Sequence, residues 1–430
     1  MIKHNTMSGG GVTIKLSSVL FFLLTTTISY IQFANAFVTL THSSRDYYLF
    51  QHRHDSKKAT SALQGSSSDS NSISNVDSSS PPPDVLCIGE TLWDSLPSGI
   101  YLGGAPSNVA VHLAYLFNNS PPSSSSDKKA SVAVATCLGN DQLGKEAQRR
   151  LALNGVRTDY VQVHSAWETG MATALLDSNG DATYEFNTPA AWDGLCFDSN
   201  LKRLIQHQEQ QKDEDRDDNI LFVMGTIAGR LDNEHGATSL STLMSVRNTA
   251  PEGTVVVDIN LRSPWYKDET VLRLIRGSAK EKKKLALLKV NEEELTTLEQ
   301  WCGNMDTNAD DLFGDALKTR MEQVAQSLNT QRICVTRGDK GAALWCQNGN
   351  EVSFDECSGY SLPEKKNDSD TVGAGDSFLA SLINSLFIHC ETPEKALERA
   401  CALGGYVAGC RGATPAHGDA PDSLRNVFSI

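Results

Sequence analysis

The sequence predicts an α/β fold over residues 84–430: an open, mostly parallel sheet with helices on both faces and a small β lid. Short apolar runs recur, each bounded by Gly, Asn or Asp, as strands buried on both faces are. Amphipathic stretches at helical spacing lie between them, the alternation that builds parallel sheets. Two segments, about 91–104 and 170–187, instead alternate residue by residue and predict the lid. All of these patterns are read from the sequence alone.

Taken in order, the predicted strands are Val85–Gly89, Ser131–Thr136, Ile220–Met224, Val255–Asp258, Leu285–Val290 and Ile333–Thr336. Their β-branched and Leu-rich content suits central strands. Ser107–Phe117, Gly144–Asn154 and Ala316–Asn329 carry apolar residues at helical spacing and predict helices between them. In the second lid segment, Ser178-Asn-Gly180 is a hairpin signal. Ser120–Lys129, Gln206–Asn219 and Gly303–Asp311 are polar, low-complexity insertions and read as surface loops. Ligands in open sheets of this class bind beyond the carboxyl ends of the strands, and the polar clusters described below fall there.

Residues 1–83 are different material. Lys3, His4 and Lys15 precede the apolar run Val19–Leu24, which is too short to span a bilayer, and Ala34-Asn35-Ala36 offers a small-x-small cleavage site before Phe37. Residues 37–83 supply Ser, Thr, His, Arg and Lys and close in three prolines, a transit-peptide or linker composition. A signal peptide (1–36) followed by a transit segment (37–83) resembles the bipartite plastid presequence of algae with secondary plastids. The expected destination is therefore the plastid stroma, with the secretory pathway as the alternative.

Composition narrows the function classes. The chain has 430 residues and a formal net charge of 38 − 52 = −14. A nucleic-acid binder needs a basic footprint, so DNA and RNA are poor partners. No membrane span is expected in the mature chain. The ten cysteines form no CxxC pair and no Cys/His cluster; Cys87, Cys137 and Cys334 sit in apolar runs, as small buried hydrophobes do.

The most informative stretch is Asp370-Thr-Val-Gly-Ala-Gly-Asp376, which runs into the helical pattern Ser377–Ile383. The free N–H groups of a helix's first turn converge on one spot, and the macrodipole favours negative charge there. Gly373, Ala374 and Gly375 would supply that anion hole, with no Cβ on either glycine to block the approach. Asp376 would repel a phosphate it merely held, but it suits a base beside a transferring phosphoryl group. Alternatively, Asp370 or Asp376 simply caps the helix.

Four more clusters accompany it. Asp94, the pair Gly103–Gly104 and Asn108 offer carboxylate, backbone and amide groups suited to a polyol, or else a tight turn and an N-cap. Asp258-Ile-Asn260-Leu-Arg262 ends a strand with a planar phosphate fork at Arg262, or with a strand-end ion pair. Asn291 and Glu294 make a capping box; read functionally, they stand near Mg²⁺-bound waters and nucleotide phosphates. Thr336, Gly338 and Gly341 form a Thr-x-Gly-x-x-Gly turn able to clasp a nucleotide.

The ordered series GGAPSNVAV, DINLR, KVNEEEL, VTRGDKG and DTVGAGDSF resembles the ribokinase-type (PfkB) carbohydrate kinases over essentially all of 84–420. Within them it is most similar to fructokinase-like members. The resemblance implies a ribokinase-like fold and an ATP-dependent phosphotransferase acting on a sugar hydroxyl, with fructose as the expected acceptor. Ribose, a nucleoside or 2-keto-3-deoxygluconate are the alternatives, as is a catalytically silent plastid interaction protein of the same fold.

It also implies roles: Asp376 as general base; Gly373, Ala374 and Gly375 as anion hole; Asp94, Gly103, Gly104, Asn108 and Arg262 on the substrate side; Asn291, Glu294, Thr336, Gly338 and Gly341 on the nucleotide side. Mg²⁺ would be held through water by Glu294, and K⁺ by Asp370, the Val372 carbonyl and the loop Ala408–Ala413. The expected partners are sugar and ATP, with a homodimer as candidate assembly. Two features depart from the family pattern. The run Thr169–Ala174 lacks the lid arginine that members often carry, and Cys401 and Gly404 stand near the expected adenine pocket without readable base contacts.

Overall fold

The computed structural model describes residues 81–96, 99–119, 129–176, 182–211, 219–231, 235–280, 282–303, 313–360 and 371–429. Asp370, the Ser178–Gly180 turn, residues 1–80 and residues 120–128, 212–218 and 304–311 of the three polar insertions lie outside the described residues. Gln206–Gln211, expected as loop, instead ends the helix Ser199–Gln211, held there by buried Gln208 donating to Ile220 O at 3.2 Å.

The main sheet has nine strands among the described residues: β1 (Val85–Ile88), β4 (Val132–Gly139), β5 (Arg157–His164), β8 (Leu221–Gly225), β9 (Val255–Asp258), β10 (Leu287–Asn291), β11 (Arg332–Thr336), β12 (Ala342–Asn348) and β13 (Glu351–Cys357). Their spatial order is β13-β12-β11-β10-β9-β8-β1-β4-β5. All neighbours pair in parallel except β11–β12 and β12–β13. From β1 the chain steps outward through β4 to β5, then returns to build β8 to β11 on the other side. The edge between β1 and β8 is therefore a topological switch point, where the flanking loops diverge and leave a crevice.

The apolar runs form strands because both faces are covered. Leu86, Ile88, Phe222, Met224, Val257, Leu288, Val290 and Ile333 face one core. There they meet α3 (Ser199–Gln211), α4 (Ser239–Thr249), α5 (Asp268–Arg276), α6 (Glu292–Trp301) and α7 (Gly314–Leu328) through Leu201, Leu243, Leu274, Leu295 and Met321. Val85, Cys87, Val134, Val223, Val256 and Leu287 point the opposite way. They meet α1 (Ala105–Asn119), α2 (Gln142–Leu153), α8 (Ala374–Ile383) and α9 (Pro393–Val407) through Leu113, Ala147, Leu379 and Leu397. This odd–even split along each strand is the pleat expressed as two cores. Each such aliphatic side chain contributes roughly 1.5–3 kcal/mol by leaving water. The C-terminal helix α10 (Asp422–Phe428) closes a third, smaller cluster with Leu403, Tyr406 and Phe428.

The second sheet is the lid, in the order β3-β2-β6-β7, with β2 (Leu92–Leu96), β3 (Gly99–Gly103), β6 (Gly170–Leu176) and β7 (Ala182–Phe186). It joins the two predicted lid segments by a parallel pairing of β2 with β6. Its base is fixed by side chains. Asn187 accepts from Met171 N at 2.7 Å and donates to Thr169 O at 3.2 Å, while Asp141 accepts from Thr169 N at 2.8 Å.

Every predicted strand and helix is present, with ends moved by a few residues. Three strands were not foreseen. The polar alternations of β5 and β13 follow from edge positions, where one side of the ladder has no neighbour, and β12 turns the far edge of the sheet antiparallel. The ten cysteines are all free thiols.

Candidate active site

α8 begins at a left-handed residue. Gly373 has φ 78°, and a Cβ there would collide with the backbone of Ala413, so only glycine fits. One turn in, a Cβ on Gly375 would lie 2.9 Å from Lys289 Nζ. The N–H of Ala374 donates to Thr371 O at 3.3 Å. Gly375 and Asp376, as second and third helical residues, have no acceptor within their own helix. The sequence thus builds a helix start whose Gly375 and Asp376 amides have no partner within the helix, pressed closely on both sides.

Asp376 is 9% exposed. Its Oδ2 accepts a hydrogen bond from Asn108 Nδ2 at 2.8 Å, across 268 residues of chain. Burial pushes its carboxyl up to about 6, helped by the Asp258 charge and opposed by the Asn108 bond, Lys289 and Arg262. Asn108 stands on α1, which starts directly after Gly103–Gly104. Gly104 has φ 100°, and its missing Cβ leaves room for the Glu90 carbonyl; a Cβ on Gly103 would strike the Asp94 carboxylate. Asp94, both glycines, Asn108 and Asp376 therefore share one wall at the mouth of the switch point.

Beneath that wall lies an ion pair. Lys289 Nζ sits 2.9 Å from Asp258 Oδ2 and 3.2 Å from Oδ1, with both groups buried. The two residues are register partners on β10 and β9. Burial works to lower the Lys289 pKa, but Asp258, Glu294 and Asp376 together raise it. The ammonium is thus held cationic just behind Gly375. Arg262 lies on the exposed loop after β9 and bears on Asp376 as a charge.

Asn291 and Glu294 form the predicted capping box, each side chain meeting the other's backbone N–H at 2.8 Å. Glu294 does more: its Oε1 accepts from Leu261 N at 2.8 Å, tying the Arg262 loop to α6. Burial raises the Glu294 carboxyl, against the pull of Lys289. Thr336 is the register partner of Asn291 on the adjacent strand, so the two clusters expected on the nucleotide side stand side by side. Gly338 (φ 58°) has open space around it, while a Cβ on Gly341 (φ 98°) would collide with the Cys357 carbonyl.

Several residues near the site escaped sequence reasoning. Lys289 and Asp258 were read only as parts of motifs, and register pairing alone shows them to be partners. Arg230, fully buried, forks onto Asp193 at 3.1 and 2.8 Å and donates to Asn187 O at 3.0 Å, while stacking 4.0 Å over Trp192. It anchors the lid base from the sheet side, where the lid itself carries no arginine in 169–174. His112, one turn after Asn108, bonds His417 at 2.8 Å and the Ala413 carbonyl at 2.9 Å. Of the proposed cation ligands, Val372 lies in the turn before α8 and Asp370 is outside the described residues.

Comparison with known proteins identifies the family and the fold. The sequence profile described as pfkB family carbohydrate kinase matches residues 99–418. "Probable fructokinase-7" of Arabidopsis thaliana is 28% identical over 370 residues, covering 80% of this chain and 92% of the relative. The crystal structure of fructokinase with bound ATP from Xylella fastidiosa superposes with a TM-score of 0.55 at 20% identity, over 77% of this chain and 94% of that one. A double-mutant fructokinase from Vibrio cholerae in fructose, ADP and potassium ion bound form gives 0.53 at 19% identity, over 78% and 96%.

Proposed function

This chain belongs to the pfkB family of carbohydrate kinases, and we propose that within it the protein is an ATP-dependent fructokinase. The observation that carries the reading is the bond between Asn108 on the sugar-side loop and the buried Asp376 in the first turn of α8. It joins a polyol-binding wall to a base at a helix N-terminus, as phosphoryl transfer to a sugar hydroxyl requires.

In this mechanism Asp94, Gly103, Gly104 and Asn108 hold the sugar, and Asp376 takes the proton of the attacking hydroxyl. A carboxyl near 6 is ionised at neutral pH yet basic enough to accept that proton. The amides of Gly373, Ala374 and Gly375, with the α8 dipole, would meet the charge that develops on the transferred group, Ala374 by turning from Thr371 O, where its N–H rests at 3.3 Å. Lys289 adds a fixed positive charge behind them. Asn291, Glu294, Thr336, Gly338 and Gly341 bind the nucleotide at the ends of β10 and β11.

Mg²⁺, held through water by Glu294, would neutralise phosphate charge. Each Glu294 oxygen accepts one amide, which leaves a lone pair on each for such a water. K⁺ at Asp370, the Val372 carbonyl and the loop 408–413 would support the helix start. Fructose is favoured by the relatives, several of which are named fructokinases. Import into the plastid stroma by residues 1–83 completes the proposal.

The test is a panel of fructose, ribose, 2-keto-3-deoxygluconate and adenosine with ATP and Mg²⁺. Fructose should show the highest kcat/KM. A higher value for another acceptor would replace fructose, and a folded protein that phosphorylates none would overturn the kinase reading.

A further inference from the structure

Glu90 follows β1 at the switch point and is 1% exposed. Its Oε1 accepts the N–H of Ala105, the first residue of α1, at 3.1 Å. Its Oε2 is sealed from solvent and has no hydrogen-bond partner among the described residues. A buried carboxyl oxygen left this way is uncommon in native proteins and signals a ligand or an ordered water.

The surroundings put Glu90 at the sugar end of the site. The Glu90 carbonyl fills the space left by the absent Cβ of Gly104 and receives the Ser107 hydroxyl at 3.5 Å. The helix whose first amide Glu90 accepts is the one that carries Asn108. The charged groups facing Glu90 are Asp376 on α8 and Arg230 after β8. Burial pushes the Glu90 carboxyl up to about 8, opposed by the amides of Glu90 and Ala105; Asp376 raises it further and Arg230 lowers it. At neutral pH it is an uncharged acid, able to donate as well as accept. Asp94, when ionised, only accepts, and one of the two N–H donors of Asn108 Nδ2 is taken by Asp376. Glu90 would therefore bring a donor to a wall otherwise rich in acceptors.

The geometry points to Glu90 as a further substrate-binding residue, whose Oε2 holds one hydroxyl of the acceptor sugar. This rests on the sugar-kinase reading above. The experiment begins with wild-type turnover of fructose, which tests that reading by itself. Sugar and ATP KM values are then measured for wild type, Glu90→Ala and Glu90→Gln, with fructose and its monodeoxy analogues.

Glu90→Ala should raise the sugar KM by roughly 5- to 150-fold, the range expected when a buried group loses its partner, and leave the ATP KM unchanged. Glu90→Gln, which keeps a donor and an acceptor, should stay within a few-fold of wild type. One deoxy analogue should be used poorly by wild type and as well as fructose by Glu90→Ala. In wild type the fructose KM should rise as pH passes about 8, and Glu90→Gln should lack that rise, a readout that survives even if Glu90→Ala does not fold. If sugar and ATP KM move together, if every deoxy analogue keeps its wild-type ratio, or if Glu90→Gln retains the alkaline rise, then Glu90 is only a helix cap with a water on Oε2.

Discussion

Burial holds the Asp376 carboxyl near 6, so ionising it in the folded protein is harder than in the unfolded chain. The sign follows directly. The raised pKa favours the fold below the ordinary carboxylate range, and that advantage is lost as pH rises through about 6. By pH 8 the buried charge costs about 3 kcal/mol, at about 1.4 kcal/mol per pH unit. Asp376→Asn keeps an acceptor for Asn108 and removes the charge. Its kcat should fall by roughly 10²–10⁴-fold, while its Tm at pH 8 rises by a few degrees and converges on wild type near pH 4. Steady-state rates and thermal melts across pH check both; wild-type-like turnover, or a Tm no higher at pH 8, would refute the assignment. The place of Asp376 in the first turn of α8 was legible in the sequence because two glycines and a helical pattern surround it. Glu90 was not: a lone acid at a strand exit reads as solvated, and only burial with an unpartnered oxygen distinguishes it.

The start of α8 is held from outside itself, by the loop between α9 and α10. Ala413 packs against Gly373, and its carbonyl accepts from His112 Nε2. With that nitrogen protonated and both rings neutral, His112 Nδ1 accepts from His417 Nε2 at 2.8 Å. Tyr115 and Phe428 contact the His417 ring edge-on. Burial pushes His112 down to about 4, against the Ala413 bond, and holds His417 well below its ordinary value. A lowered histidine pKa stabilises the fold above about 6.5, and this contribution is lost as pH falls toward 4, worth about 3 kcal/mol for His112. Asp376 and Glu90 change stability in the opposite direction, so the difference between two proteins is the useful quantity. His112→Leu should be less stable than wild type at pH 7, and the gap should narrow steadily to pH 4. Its kcat should also drop, by up to about 10²-fold if the anion hole shifts by of order 1 Å. A constant stability gap across that range would remove the titration argument. None of this was visible in sequence, since His112 and His417 are 305 residues apart and each lies in an ordinary helical or loop context.

At the scale of the whole molecule, the parallel centre of the sheet was legible because strands covered on both faces must be apolar, and β1, β4 and β8 to β11 are. The edges were not, since β5 and β13 are partly exposed and carry polar residues. The same burial argument locates the start of the catalytic unit. β1 is a central strand, paired with both β4 and β8, so it cannot be lost. Just before it, the Asp84 carboxylate accepts from Ser131 N at 2.7 Å, and Arg157 donates to Pro81 O at 2.6 Å. Among the described residues these contacts begin at Pro81, and residues 1–83 are proposed to carry the import signal. A chain beginning at Pro81 should keep the kcat, KM values and Tm of the full-length protein. A chain beginning at Ile88 lacks most of β1, leaves β4 and β8 without their shared partner, and should not fold. Residues 1–83 fused to a fluorescent reporter should carry it to the plastid stroma in a cell with secondary plastids. Loss of turnover on removing residues 1–80 would show that the N-terminal segment belongs to the working enzyme, and secretion of the reporter would replace the plastid with the secretory route.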